Sequence, residues 1–219
     1  MPAYKLICFD VDGTLVDNVE FSWQLFHDFF QTDKHRRDDA RDKFYSGEIS
    51  YEQWAEHDIN LWREVNATRK QFFEAMSKAG IIQMNGARDV IAELKKRNMK
   101  IAIVSGSLNI ILENAFPDYE ELFDYVFLSR IFFDENGLIC KAVPTAFDMD
   151  KKADALKQIA GRERISLSEC IFVGDHHNDV KIAQAAGLGI AFNCKSDELR
   201  KVADVEIKEK DLREILKYL

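Results

Sequence analysis

Long apolar runs are missing from this chain of 219 residues. No stretch approaches the ~20 residues that cross a bilayer, and Asp10 arrives too early for the apolar core of a signal peptide. An excess of basic residues is missing too. Lys and Arg number 30 against 38 Asp and Glu, a formal net charge of −8, which argues against a broad surface for nucleic acid or anionic lipid. A local cationic pocket stays open to it. The cysteines are few: Cys8, Cys140, Cys170 and Cys194 show no CxxC spacing, and three of them fall in strand-like apolar runs. All four are expected as reduced core residues. Internal repeats and low-complexity segments are absent. The expectation is a cytoplasmic protein, monomeric or weakly homodimeric, with no nucleic-acid and no membrane partner. Its 47% hydrophobic content suffices for one substantial core and a smaller second unit.

Short apolar runs do recur, at 4–9, 100–104, 170–173 and 188–192, separated by stretches with apolar residues at helical spacing. Strands buried on both faces read this way, so the pattern predicts an α/β fold, a Rossmann-like parallel sheet flanked by helices. Segment 87–97 places Val90, Ile91 and Leu94 on one face ahead of the strand at 100. Segment 153–160 does the same with Leu156, Ile159 and Ala160, and the tail 211–219 reads as a last surface helix. Between 17 and 85 strand-like runs vanish while helical spacing persists. We read 17–85 as an inserted helical subdomain and 1–16 with 86–219 as the core. The insert's aromatics (Phe21, Trp23, Phe26, Trp54, Trp62, Phe72, Phe73) are expected to form its own core, and the mixed-charge run at 33–43 a solvated helix face. Asn136-Gly137, between two apolar arms, predicts a tight hairpin with positive φ angles.

Ligands of open α/β sheets gather beyond the carboxyl ends of the strands. Asp10 and Asp12 follow the first run, Ser105, Gly106 and Ser107 the second, and Gly174, Asp175, Asn178 and Asp179 the third. Residues two apart in extended chain face the same way, so Asp10 and Asp12 are expected to crowd like charges beside an apolar layer. Such a cluster needs a cation, and hard oxygen ligands with room for phosphate suit Mg²⁺. Ser105 to Ser107, ahead of the helix-like segment 108–116, read as a phosphoryl cradle of hydroxyl and backbone N–H groups. Lys151 or Lys152 stands ready to offset the remaining charge. Plainer readings exist for each feature: Asp and Gly turn well, and Ser105 or Asn178 could simply cap a helix. Their joint occurrence at three strand ends favours a site. Adjacent His176 and His177, with no third His or Cys nearby, are expected to be exposed in a loop.

DVDGT (10–14), VSGS (104–107), KADAL (152–156) and GDHHND (174–179) resemble the four ordered motifs of the haloacid dehalogenase-like phosphatases. With AAGLGIAF (185–192) and DLREILKYL (211–219), the pattern looks most like the phosphoserine phosphatase branch, and the insert is similar to that branch's helical cap. The resemblance implies a Mg²⁺-dependent phosphomonoesterase acting on a small phosphorylated metabolite. It implies Asp10 as the nucleophile that becomes an aspartyl-phosphate and Asp12 as general acid, then base. Mg²⁺ would be held by Asp10, the backbone carbonyl of Asp12 and Asp175, with Asp179 in support. Ser105, Gly106 and Lys152 would hold the phosphoryl group, with Asn178 lining the pocket. Matching KADAL to the motif favours Lys152 over Lys151, and Lys141 is a more distant candidate.

The departures concern substrate choice. The branch's cap acid is displaced by one, to Val19 then Glu20, so Glu20 is the candidate substrate contact. Asp58 falls about where a cap arginine is expected, which puts phosphoserine in doubt, although Arg41 or Arg63 could substitute. VSGS in place of VSGG adds a side chain near the pocket. Rival readings are a phosphotransferase or phosphomutase on the same scaffold, a receiver-like signalling module, and a phospho-ligand sensor without chemistry.

Overall fold

The computed structural model describes residues 4–219; the first three residues assigned to the core lie outside the described residues. β1 (Leu6–Phe9) leads through a tight turn to β2 (Val16–Asp17), then to four helices, α1 (Ser22–Phe30), α2 (Lys34–Tyr45), α3 (Tyr51–Glu64) and α4 (Arg69–Ala79). β3 (Ile82–Gln83) returns antiparallel to β2, so the chain enters and leaves the four helices at one place. Then follow α5 (Ala87–Lys96), β4 (Lys100–Leu108), α6 (Asn109–Ala115), α7 (Tyr119–Leu122), β5 (Tyr125–Phe133) and β6 (Ile139–Val143). α8 (Lys152–Glu163), β7 (Cys170–Gly174), α9 (Val180–Ala185), β8 (Leu188–Phe192), α10 (Asp197–Val202) and β9 (Val205–Ile207) complete the chain with a 3-10 segment, Leu212–Tyr218.

The large sheet has the order β6-β5-β4-β1-β7-β8-β9. Every pairing in it is parallel except β5 with β6. β1 is central, and strand order runs outward from it in both directions, which opens a crevice at the carboxyl ends of β1, β4 and β7. The continuous apolar runs have a direct cause. Ile7, Phe9, Ile101 and Ile103 pack on one face with Val90, Ile91 and Leu94 of α5. Leu6, Cys8, Ala102 and Val104 pack on the other with Leu156 and Ile159 of α8. Alternating residues thus meet helices on both sides, and none can be polar without cost.

The four helices start where local chemistry dictates. Ser50 with Gln53 and Thr68 with Gln71 form capping boxes on α3 and α4, and Asp33 caps α2. Phe26, Trp62 and Phe72 are fully buried and belong to the same apolar cluster as the sheet.

Several expectations change. Cys140 lies exposed on the edge strand β6, whereas the other three cysteines are buried. Gly137 takes a φ of 77°, but Asn136 is not left-handed; the longer hairpin loop is held instead by the Asp134 carboxylate, which accepts from the Asn136 and Leu138 N–H groups. The tail is a 3-10 segment with Leu212 and Ile215 buried, packed against α5. Among the described residues no helix is long and apolar enough to cross a membrane.

Candidate active site

β1 ends at Phe9, and Asp10 begins a turn in which the Val11 carbonyl accepts from the N–H groups of Thr14, Leu15 and Val16. This turn separates the two acids that an extended chain would have set side by side. The Asp10 carboxylate is buried and its Oδ1 lies 2.6 Å from Lys152 Nζ. The Asp12 carboxylate goes elsewhere, accepting from Ser22 N–H and from Ser107 Oγ, each at 2.7 Å. Burial pushes the Asp10 carboxyl up, and the like charges that add to it are Asp179 and Asp175, with Asp12 not among them.

Lys152, the first residue of α8, is fully buried, and its Nζ also lies 2.7 Å from Asp179 Oδ1. Burial alone would push this lysine down, but Asp10, Asp179 and Asp148 outweigh it and hold the ammonium charged. Lys151 points away, with a half-exposed side chain 4.0 Å from Glu52. Lys141 lies over the Phe132 ring on the edge of the sheet.

One oxygen each from Asp10, Asp175 and Asp179 falls within 4.8 Å of the others, and all three residues are buried. Asp179 Oδ2 accepts from the N–H groups of Asp175 and His176 at 3.0 and 3.1 Å, which fixes the loop after β7. Lys195 Nζ lies 2.9 Å from Asp175 Oδ2. Gly13, at φ +74°, makes room for this arrangement, since a Cβ there would stand 2.1 Å from Asp175 Oδ2. Burial, joined by Asp179 and opposed by Lys195, pushes the Asp175 carboxyl up to about 7. Among the described residues, these three buried carboxylates share two ammonium groups. A set of hard oxygen donors with surplus negative charge fits a divalent cation such as Mg²⁺.

Ser105 and Ser107 belong to the end of β4, which runs on to Leu108, and α6 starts at Asn109, one residue into the helix-like segment expected at 108–116. Ser105 is buried, and its Oγ accepts from Ser107 N–H at 3.1 Å, so it is not the cap of α6. Gly106 allows a close approach, because a Cβ there would lie 1.9 Å from Asp148 Oδ2. Asn178 donates to Asp148 Oδ1 at 2.9 Å, and Asp148 Oδ1 is 3.9 Å from Lys152 Nζ. Tyr51 hydrogen-bonds Asp148 from α3, its hydroxyl pushed up by burial and by that carboxylate.

Beyond Asp148 and Asn178 opens a cavity of about 590 Å³ between α1, α2 and α3. Trp23, Trp54, Arg37 and Asp58 line it. Asp58 is buried, 3.2 Å from His27 Nε2 and 3.6 Å from Arg37 Nε, and burial pushes the His27 imidazole down against the pull of that carboxylate. Glu20 lies outside the lining, its half-exposed carboxylate 3.7 Å from His176. Arg41 lines the cavity, whereas Arg63 pairs with Glu56 on α3. His177 is exposed and His176 partly buried.

The helix expected to be a solvated face therefore turns part of itself inward. Lys34, Arg37, Asp38, Arg41 and Tyr45 recur at i, i+3, i+4, i+7 and i+11, a single helical stripe whose spacing could have marked it. Trp23 and Trp54 line the cavity and do not belong to the fully buried aromatic core. Ser22, Asp148 and Lys195 carried no motif signal, because only tertiary packing delivers them.

The sequence model for haloacid dehalogenase-like hydrolases matches residues 4–187. A phosphoserine phosphatase of Methanocaldococcus jannaschii is 32% identical over 218 residues, covering 98% of this chain and 97% of that protein. One of Lactococcus lactis is 31% identical over 219 residues, covering 100% and 97%. A substrate-bound phosphoserine phosphatase complex superimposes with a TM-score of 0.75 at 29% identity, covering 100% of both chains. A phospho-aspartyl intermediate analogue of phosphoserine phosphatase superimposes with a TM-score of 0.74 at 30% identity, covering 99% of both.

Proposed function

Since the chain belongs to the haloacid dehalogenase-like hydrolases and is a phosphatase of the phosphoserine phosphatase-like branch, we propose that it hydrolyses a small soluble phosphomonoester through a phosphorylated Asp10. The observation that carries this reading is the buried Lys152 ammonium between Asp10 and Asp179, beside the acidic trio. A carboxylate needs no proton removed to attack, provided positive charge relieves its repulsion from the phosphoryl oxygens.

In the first half-reaction an Asp10 oxygen forms a bond to phosphorus as the bond to the ester oxygen breaks. Asp12 gives its proton to the departing oxygen. Burial pushes the Asp12 carboxyl up, against its hydrogen bonds from Ser22 and Ser107, which favours the protonated form this step needs. In the second half-reaction the Asp12 carboxylate takes a proton from water, whose oxygen displaces Asp10 from phosphorus and releases phosphate. Lys152 neutralises Asp10 throughout, and Ser105, the backbone of Gly106 and Asn178 orient the phosphoryl group. Mg²⁺, held by Asp10, Asp175, Asp179 and the backbone carbonyl of Asp12, would supply Lewis-acid stabilisation of the phosphoryl charge. Residues 17–85 act as a cap over the crevice, a division supported by the β2–β3 stem at which they join the core. A monomer or weak homodimer in the cytoplasm completes the proposal.

The test is phosphate release with Mg²⁺ from a panel of phosphomonoesters, phosphoserine included and no alcohol acceptor added. Wild type should release phosphate repeatedly, whereas Asp10→Asn should release none while keeping its circular dichroism. Turnover by Asp10→Asn would remove the assigned nucleophile, and a need for a second alcohol would indicate phosphoryl transfer in place of hydrolysis.

A further inference from the structure

The cavity between α1, α2 and α3 is joined to the reacting centre by a short series of contacts. Asp148 and Asn178 form part of its wall, Asp148 lies 3.9 Å from Lys152 Nζ, and Lys152 Nζ lies 2.6 Å from Asp10. Asp10 itself does not line the cavity, and the way to it passes Asp148 and Asn178. About 590 Å³ is within the range of small-molecule sites and gives far more room than serine needs.

Its walls are rings held from behind. Trp54 stacks on Phe44 with centroids 5.0 Å apart, and Trp23 on Trp62 at 5.2 Å, each pair within 25° of parallel. Such fixed platforms favour a partner with a flat face, aromatic or the C–H face of a sugar. Trp54 Nε1–H is buried without a hydrogen-bond partner among the described residues, and Arg37 Nε is likewise unbonded, 3.6 Å from Asp58.

Most charges along the cavity are already committed, the exposed Lys34 being the exception among the described lining residues. Asp58 is engaged by His27, His57 and Arg37; Arg41 pairs with Asp38 and Asp42; Asp148 accepts from Asn178. A free amino acid would ask for an unengaged carboxylate to meet its ammonium, whereas Asp28 accepts from Gln24, Asp38 pairs with Arg41, and Glu20 stands outside the lining.

We propose that the leaving alcohol of this enzyme's substrate carries a ring and no ammonium group, and reaches past Asp148 and Asn178 to lie against Trp54 and Trp23. The inference rests on the phosphatase reading above. A sugar and a heteroaromatic alcohol both present this chemistry, and the experiment separates them.

Full-length protein with Mg²⁺ is assayed on phosphoserine, glucose 6-phosphate and pyridoxal 5′-phosphate. One ring-bearing ester should exceed phosphoserine in kcat/KM by at least about tenfold, and which one does so identifies the ring class. Trp54→Ala should lower the ratio of ring ester to phosphoserine by about tenfold or more, chiefly through KM. Trp54→Phe, which keeps a ring, should keep most of the ratio. A preference for phosphoserine, or a ratio unmoved by Trp54→Ala in a protein of normal melting behaviour, overturns the proposal. Calorimetric binding of the same esters to Asp10→Asn gives the same comparison without turnover: tighter binding of a ring ester supports the inference and equal binding refutes it. Absence of hydrolysis by wild type counts against the phosphatase reading alone.

Discussion

Lys152 Nζ lies 2.6 Å from Asp10 Oδ1, with no part of the lysine side chain exposed. A buried ammonium costs several kcal/mol to desolvate, and here two carboxylates within 2.7 Å compensate it. Lys152→Met keeps the stem and removes the charge, leaving Asp10 and Asp179 facing each other uncompensated. The expected loss is about 3–5 kcal/mol by urea unfolding, and a fall in phosphate release of about 10²-fold or more. A Lys152→Met protein with wild-type turnover would place the compensating charge elsewhere.

The parts of this site legible in the sequence are those carried by strand ends. Asp10, Ser105 and Asp175 each follow an apolar run, and the runs are conspicuous because Ile7 and Phe9 meet one helical layer while Leu6 and Cys8 meet the other. Lys152 was reachable as the start of the helix before β7. What local pattern could not supply is direction. Asp12 looked like a partner of Asp10, yet the turn at Val11 hands it to Ser22 and Ser107. Glu20, expected as a substrate contact, faces His176 near the surface. Asp148 and Lys195 arrive from loops whose course depends on the assembled sheet. In α2 the difficulty was different: a charged helix normally faces water, and only the stripe from Lys34 to Tyr45 separates its inward face.

With Asp175 as the proposed cation ligand, metal binding and stability should respond to pH in opposite directions. The Asp175 carboxyl stands at about 7 against 3.8 for an ordinary aspartate. Across that window the folded protein holds a proton that the unfolded chain has released, so this group's contribution to metal-free stability is present at low pH and is lost as pH rises towards 7. Coordination requires the ionised form, so Mg²⁺ affinity rises over the same interval. The gain in Tm on adding Mg²⁺ should be larger at about pH 8 than at about pH 5.5, and reversed by chelator. Equal gains at both pH values would show that Asp175 is not a ligand that must first lose a proton.

Gly106 is held by space and not by backbone conformation. A methyl group there would meet Asp148 Oδ2 at 1.9 Å, and Asp148 is tied to Asn178 at 2.9 Å. Gly106→Ala should cost about 1–3 kcal/mol from overpacking and reduce kcat/KM by about tenfold or more as Asp148 is displaced. Adding Asp148→Ala should restore most of the stability without restoring activity. A Gly106→Ala protein that matches wild type in both urea midpoint and turnover would mean that Asp148 moves freely.

Ser107 offers a way to tune Asp12, the proposed acid, without touching it. Its hydroxyl donates to Asp12 Oδ1 at 2.7 Å, and this contact lowers the Asp12 pKa against the larger upward push of burial. The hydrogen bond favours the ionised form, so Ser107→Ala raises the pKa further. A general acid acts while protonated, and activity is lost as pH rises through its pKa. The alkaline limb of the kcat/KM profile should therefore move to higher pH by about one unit, the scale of a charge-assisted hydrogen bond. Its movement would be largest for esters with poor leaving groups, which depend most on the proton, and small for p-nitrophenyl phosphate. A limb that stays in place for both kinds of ester would assign the proton to a group other than Asp12.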